Sequence, residues 1–279
     1  MKYYVLLVVF VIAFQNLFAQ SDKKTDTLQF LRYGVFLNGG LDLHHANFAK
    51  FNDVAFCCPD NFSDKQSQLG FGMALGGLLE FPLSSVNPNW FWDVRLGMQF
   101  HSGTLTQQHE TIFNNNLIGN QGVKGAFDYS ISSNVAGVFL SVMPSYHITY
   151  RFSAHAGLQS SYLFYSSYSQ SENVVSPSNA YFYNDSTGTI SKQRNSSSGN
   201  IPGLHSFQIS GIAGLSYEIA ANLNGTALLT PEVFYTIGIT QLSGALKDNG
   251  SWRRSGFYAG ISLKYSPTPT VFAENKCPE

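Results

Sequence analysis

The sequence predicts an all-β protein: a transmembrane antiparallel up-and-down β-barrel of eight strands. Three observations predict it. Apolar residues alternate with small or polar ones in eight separate stretches, the period of a β-strand with two unlike faces. Charged residues are only 12% of the chain, about half the share usual in a soluble domain. After residue 19 no uninterrupted apolar run is long enough for a membrane helix. A chain of this kind that crosses a membrane must close on itself, because hydrocarbon offers no partner to an open sheet edge.

The N-terminus reads as a secretory signal peptide over residues 1–19. Lys2 is the charged region, Tyr3 to Phe14 the apolar core, and Leu17-Phe18-Ala19 the cleavage site before Gln20. No Cys follows the apolar core, so no lipid anchor is expected. Residues 20–28 are a polar, periplasmic lead-in, and the barrel is expected over 29–266.

Strand one, about 31–44, sets Tyr33, Val35, Leu37, Leu41 and Leu43 outward against Gly34, Asn38, Gly40, Asp42 and His44. Strand two, about 69–82, sets Leu69, Phe71, Met73, Leu75, Leu79 and Phe81 against Gly70, Gly72, Ala74, Gly76 and Glu80. Strand three starts at Trp90, with Trp92, Val94, Leu96, Met98 and Phe100 out and Asp93, Arg95, Gly97, Gln99 and His101 in. Strand four, about 127–147, has two conflicting phases: Ile131 and Val135 against Val138, Leu140 and Val142. A β-bulge near Gly137 is expected to reconcile them.

Strand five, about 151–168, carries Phe152, Ala154, Ala156, Leu158, Tyr162 and Phe164 outward. Strand six, about 205–218, carries Phe207, Ile209, Ala213, Leu215 and Tyr217; strand seven, about 226–242, carries Leu229, Val233, Tyr235, Ile237 and Ile239. Strand eight alternates without error from Gly256: Phe257, Ala259, Ile261, Leu263 and Tyr265 lie on one face, Tyr258, Gly260, Ser262 and Lys264 on the other.

The connections 83–89, 148–150 and 219–225 are short, whereas 45–68, 107–126 and 169–204 are long and 243–251 is intermediate. Short turns at one end and long loops at the other are the outer-membrane pattern, which puts both termini in the periplasm. The longest loop has little apolar material to fold on. Tyr33, Phe81, Trp90, Trp92, Tyr150, Phe152, Tyr217 and Tyr265 fall at the short-turn ends of their strands as one aromatic girdle. Tyr129, Tyr162, Phe164, Phe207 and Phe257 form the other. The strands exceed the roughly 9–11 residues that a crossing needs, so the wall should project beyond the outer leaflet.

The last strand, with Tyr258-x-Gly260-x-x-Leu263-x-Tyr265, is similar to the terminal signal of outer-membrane barrels. Cys57-Cys58-Pro59 followed by Gly70-x-Gly72, and Ile201-Pro202-Gly203, look like a subset of the same group. Over about Gln29 to Ser266 the chain resembles the OmpA-like and PorT-like eight-stranded barrels of Gram-negative bacteria. The resemblance implies that Tyr258, Gly260, Leu263 and Tyr265 are read by the barrel assembly machinery. That subset often continues into a peptidoglycan-binding domain. Here Pro267-Thr268-Pro269 opens only a short tail, 267–279, so cell-wall anchoring is not carried over.

The inward charges are the first candidate site. Glu80, Arg95, Glu218, Glu232 and Lys264 all belong to the short-turn half of the lumen. An eight-stranded barrel is just wide enough for side chains to fill it. Charges there must pair, either as a gate or as a permanent ionic plug, and the plug fits the narrow bore. His101 and His109 with Glu110 are the best candidates for a base and its orienter in an embedded hydrolase, yet no serine stands in a recognisable motif. Cys57 and Cys58 allow a vicinal disulfide or two free thiols; with His44-His45 they match no zinc spacing, so no metal and no cofactor are expected.

A net charge of −1 excludes nucleic acid as a partner. Outer-membrane lipid and lipopolysaccharide are the expected neighbours. The expected function is a non-enzymatic outer-membrane barrel with a structural or surface-interaction role and its long loops as contact surface. A narrow solute or ion channel and a lipid-modifying hydrolase or protease are the alternatives.

Overall fold

A computed structural model describes residues 31–52, 62, 68–83, 89–115, 121–184, 188–247 and 250–267. The signal peptide, most of the lead-in and tail, and Cys57, Cys58 and Cys277 lie outside the described residues. Twelve strands follow in order: β1 (Arg32–Asn47), β2 (Gln68–Pro82), β3 (Trp90–Asn115), β4 (Gln121–His147), β5 (Phe152–Ser176), β6 (Phe182–Asn184), β7 (Thr189–Ser191), β8 (Gln193–Gly199), β9 (Phe207–Tyr217), β10 (Ile219–Ala220), β11 (Ala227–Gly238) and β12 (Ser251–Tyr265).

Eight of them make the ring. Each long strand pairs antiparallel with its neighbour in the chain, β5 with β9 and β9 with β11, and β12 closes back on β1 with Tyr33 opposite Tyr265 and Asn47 opposite Ser251. Every edge within the ring is therefore paired, as a barrel in hydrocarbon requires. Val35, Leu37, Leu69, Leu96, Met98, Leu158, Val233, Phe257 and Leu263 stand exposed on the outside, while Asp42, Glu80, Asp93, Arg95, Glu232 and Lys264 are buried inside. An apolar exterior around a charged interior is the reverse of a soluble barrel and fits lipid.

Local chemistry sets the turns. Between β4 and β5 the Thr149 hydroxyl accepts from the Phe152 amide at 3.1 Å. Between β10 and β11 the Asn222 carbonyl accepts from the amides of Thr226 (2.9 Å) and Ala227 (3.1 Å), and Gly225 takes the left-handed φ of 65° that closes the turn.

The long-loop end departs from expectation in four ways. First, the segments expected as loops after strands three and five are largely strand. β3 and β4 pair continuously from Trp90↔Tyr146 out to Asn115↔Gln121, and β5 runs on to Ser176 with β8 beside it. β2 accompanies β3 only as far as Gly103. The wall thus rises on one side as a fin of β3, β4, β5 and β8. Residues 104–115 of β3 extend it by about 40 Å at the usual rise of a strand. The outer face of the fin is mostly polar, with Ser and Thr next to the barrel, Thr104 bonded to Ser132 at 2.9 Å and Ser130 to Ser171 at 3.3 Å. A strand flanked by water outside and protein inside loses the greasy face that marks a membrane strand, so its sequence looks like loop.

Second, β4 needs no bulge. Phe127, Tyr129, Ile131, Val135, Phe139 and Met143 all face inward in one unbroken phase, while Val138 is exposed outward. Both apolar sets are real, one against lipid and one against the interior. The register does shift opposite Ala136/Gly137, but the extra residue is on β5: Ala136 pairs with Tyr165 and Gly137 with Leu163. Phe164 and Tyr165 both lie exposed, and the phase of β5 flips there.

Third, Tyr129 is not a girdle residue. It is 2% exposed, stacked on Phe62 at 4.8 Å inside the barrel mouth. Tyr162, Phe164, Phe207 and Phe257 do stand exposed near that end, and Tyr33, Trp90, Tyr150, Tyr217 and Tyr265 near the other.

Fourth, the loop segments carry a core. Phe48 and Phe51, following β1, and Phe62 pack with Trp252, Leu105, Ile131, Leu163, Tyr168, Ile201, Leu242 and Leu246. Main-chain bonds from Asn52 to Ala245 (2.8 Å) and from Lys247 to Lys50 (3.0 Å) tie the two segments together across the mouth.

Candidate functional site

The lumen is stacked in layers, and the alternation of each strand decides which side chains enter it. At the short-turn end lie Arg32 (β1), Glu80 (β2), Glu218 and Lys264 (β12). Lys264 donates to Glu80 at 2.6 Å and lies 3.5 Å from Glu218; Arg32 donates to Glu218 at 2.7 Å and lies 3.7 Å from Glu80. Two cations therefore alternate with two carboxylates. One oxygen each of Glu80 and Glu218 has no hydrogen-bond partner. Below them a hollow of about 390 Å³ opens to solvent between Arg32, Glu80, Phe91, His147 and Tyr150.

The next layer centres on Arg95 (β3). Its two terminal nitrogens grip both oxygens of Glu232 (β11) at 2.6 and 2.9 Å, and it also bonds Asp93 at 2.9 to 3.2 Å. Ser262 donates to Glu232 at 3.2 Å. The guanidinium lies over the rings of Phe234 (4.7 Å) and Phe36 (5.4 Å), so its faces are covered as well as its edge. A bidentate, stacked and fully buried arginine is the geometry in which such a charge is tolerated.

Higher up, Asp42 (β1) accepts from the Tyr258 (β12) hydroxyl in a short hydrogen bond and pairs with His101 (β3) Nδ1 at 2.9 Å. Gly72 makes room for this cluster. A β-carbon there would lie 2.7 Å from His101 Nδ1, 2.8 Å from the Tyr258 ring and 2.9 Å from Asp42. Trp252 donates to His44 at 3.1 Å, and above it the apolar core seals the mouth. Between the Arg95 and Asp42 layers the continuous free space amounts to about 50 Å³, room for a few waters and no more.

All five charges singled out in the sequence, Glu80, Arg95, Glu218, Glu232 and Lys264, thus lie in ion pairs, in two groups rather than one. Sequence reasoning missed Arg32 and Asp93, which complete those groups. Both have the inward phase of their strands, a signal that was available. Of the terminal-strand residues, Leu263 and Tyr265 face outward, Tyr258 faces into the lumen, and Gly260 lies against Asn38, whose side-chain oxygen a β-carbon would overlap.

The candidate hydrolytic set is not assembled. His101 is engaged with Asp42 in the lumen, His109 lies eight residues further along β3 against the Phe127 ring at 5.3 Å, and Glu110 stands on the opposite, exposed face of the strand. His155 has Ser145 at 2.8 Å and Asp93 at 3.3 Å from Nδ1, and Ser216 at 2.8 Å from Nε2. All four groups are buried, and Phe91 and Phe234 cover the ring. That order of groups resembles a triad, but Ser145 and Ser216 are both buried and the imidazole between them lies under Phe91 and Phe234. Among the described residues no group of three His, Cys, Asp or Glu side chains can hold a metal ion.

No curated protein matches the chain. Among solved structures it is similar to Ail of Yersinia pestis, crystallised with the heparin analogue sucrose octasulfate (13% identity, 84% of this chain and 99% of that one, TM-score 0.24). It is also similar to Neisserial surface protein A (11% identity, 84% and 96%, TM-score 0.33) and to the outer membrane protease OmpT of Escherichia coli (10% identity, 88% and 99%, TM-score 0.31). Likeness of this degree assigns no residue and no activity. The family model described as an outer membrane protein beta-barrel domain matches residues 18–244, the greater part of the sequence. With its ring closed, its charges inside and its apolar residues outside, the chain belongs to the outer membrane β-barrel family.

Proposed function

We propose that the protein is a closed, non-enzymatic barrel whose work is done at its long-loop end, in structural or surface contact. One observation carries this reading: the lumen is occupied from end to end. Two ion-paired layers fill the short-turn half, and aromatic side chains from the loop segments fill the opposite mouth. On this reading Glu80, Arg95, Glu218, Glu232 and Lys264 are a permanent plug. The signal peptide of residues 1–19 is removed, both termini and the short turns are periplasmic, and the fin stands outside the cell among lipopolysaccharide.

The channel reading needs a continuous wet lumen, which these layers interrupt twice. The hydrolase reading needs a base open to substrate, and the described histidines that pair with carboxylates point into the filled interior. Purified protein in planar bilayers tests the plug directly. No steady conductance is expected; a steady, protein-dependent conductance would favour the channel.

A further inference from the structure

Among the described residues, the fin leaves one sheet edge without a partner. β2 stops at Gln68, whose side-chain amide donates to the Thr106 carbonyl (2.7 Å) and accepts from the Thr106 amide (3.0 Å). The side chain stands where the main chain of a neighbouring strand would be, and the pairing ends there. Main-chain groups two residues apart in a strand point the same way. The N–H and C=O of Gln108, Glu110 and Ile112 therefore face the same side as those of Thr106, away from β4. No bond to them appears among the described residues.

Edges left open are normally blunted by Lys, Pro or a bulge. This one has none. β3 pairs with β4 in unbroken register to Asn115, and Gln107 to Ile112 carry one formal charge, Glu110. Glu110 and Ile112 share the exposed outer face, Ile112 being 69% exposed. Lys124 sits beside Ile112 on β4.

We infer that the main-chain N–H and C=O groups of Gln108, Glu110 and Ile112, on the edge of β3 turned away from β4, dock an extended segment of a partner polypeptide as an added strand. Main-chain hydrogen bonds supply the attachment, and the two outer-face side chains supply selectivity. An antiparallel strand places one residue opposite Ile112 and, two positions later, one opposite Glu110. The fitting sequence is apolar-x-basic, with the basic residue excluded from the first position by Lys124. This deepens the surface-contact reading by naming its partner's chemistry.

The probe is a seven-residue synthetic peptide with Val-Thr-Lys at its centre in a Ser/Thr background, followed by fluorescence anisotropy against the full chain in detergent. Binding is expected, weaker by about fivefold or more when the Lys is replaced by Glu. Glu110→Lys should reverse that preference. Ile112→Pro should abolish binding yet keep the heat-modifiable gel migration of the folded barrel, because the lost N–H is not in the ladder. N-methylation of the peptide amides that face β3 should abolish binding, and N-methylation of the alternate amides should not. Absence of binding to the wild type, or binding indifferent to where the methyl groups lie, overturns the proposal. Neither result depends on the conductance or orientation of the barrel, so the closed-barrel reading stands or falls separately.

Discussion

Arg95 carries more of the interior than any other side chain. It bonds Glu232 at two points, holds Asp93, and lies between two phenyl rings. Arg95→Met leaves two carboxylates buried without their cation. A loss of about 3–5 kcal/mol is expected, read by urea unfolding in detergent. The triple change Asp93→Asn, Arg95→Met, Glu232→Gln should recover most of it, since no unpaired charge then remains. A single variant as stable as wild type would deny the network its structural role. Which charges enter the lumen was legible from the period of two: Asp93 was among the inward residues of its strand, and Arg32 has the same phase as Gly34. Which charges meet was not. Arg95 and Glu232 are 137 residues apart, and only the curvature of the closed sheet brings them across the bore.

Among the elements, β5 is the informative one. Its phase changes at Phe164, where the bulge lets Tyr162 and Tyr165 both face outward while Leu163, Ser166 and Tyr168 face in. Paired at this length without the bulge, the upper half of β5 would turn Tyr168 and Glu172 out of the core and break the pairing of Arg194 with Glu172 at 2.6 Å. Deletion of Ser167, just beyond the bulge, reverses the face of every later residue of β5 and is expected to prevent the fin from docking: protease should cut between β5 and β8, and the barrel should lose its heat-modifiable form or gain it slowly. Deletion of Phe164 only removes the bulge, leaving Leu163 in, Tyr165 out and Ser166 in, and should be tolerated. Unchanged protection in the Ser167 deletion would mean that the phase above the bulge is incidental. The position was half legible. Two apolar phases in β4 pointed to an irregularity near Gly137, yet the conflict was only apparent. Ile131 and Val135 are apolar because the lumen itself is dry at that height, and a pattern rule with one apolar face has no place for a strand with two.

At the scale of the whole molecule, the sheet is a cylinder at the short-turn end and an open fin at the other. The proposed orientation is checked by labelling. In a background with Cys57, Cys58 and Cys277 replaced by Ser, Tyr183→Cys in β6 should react with a membrane-impermeant maleimide on intact cells. Thr149→Cys in the turn after β4 should react only after the outer membrane is opened; the opposite result inverts the topology. Strand count, the inward and outward faces in the membrane, the short turns and the class of protein followed from the sequence alone, because hydrocarbon imposes one rule on every lipid-facing residue and that rule repeats every second position. The ion-pair partners, the Asp42–His101–Tyr258 cluster in the space left by Gly72, the apolar seal of the mouth and the free edge of β3 were decided by tertiary structure. Each depends on which strands stand opposite one another across the bore and on where a neighbour stops, distances set by closure of the ring rather than by any local run of residues.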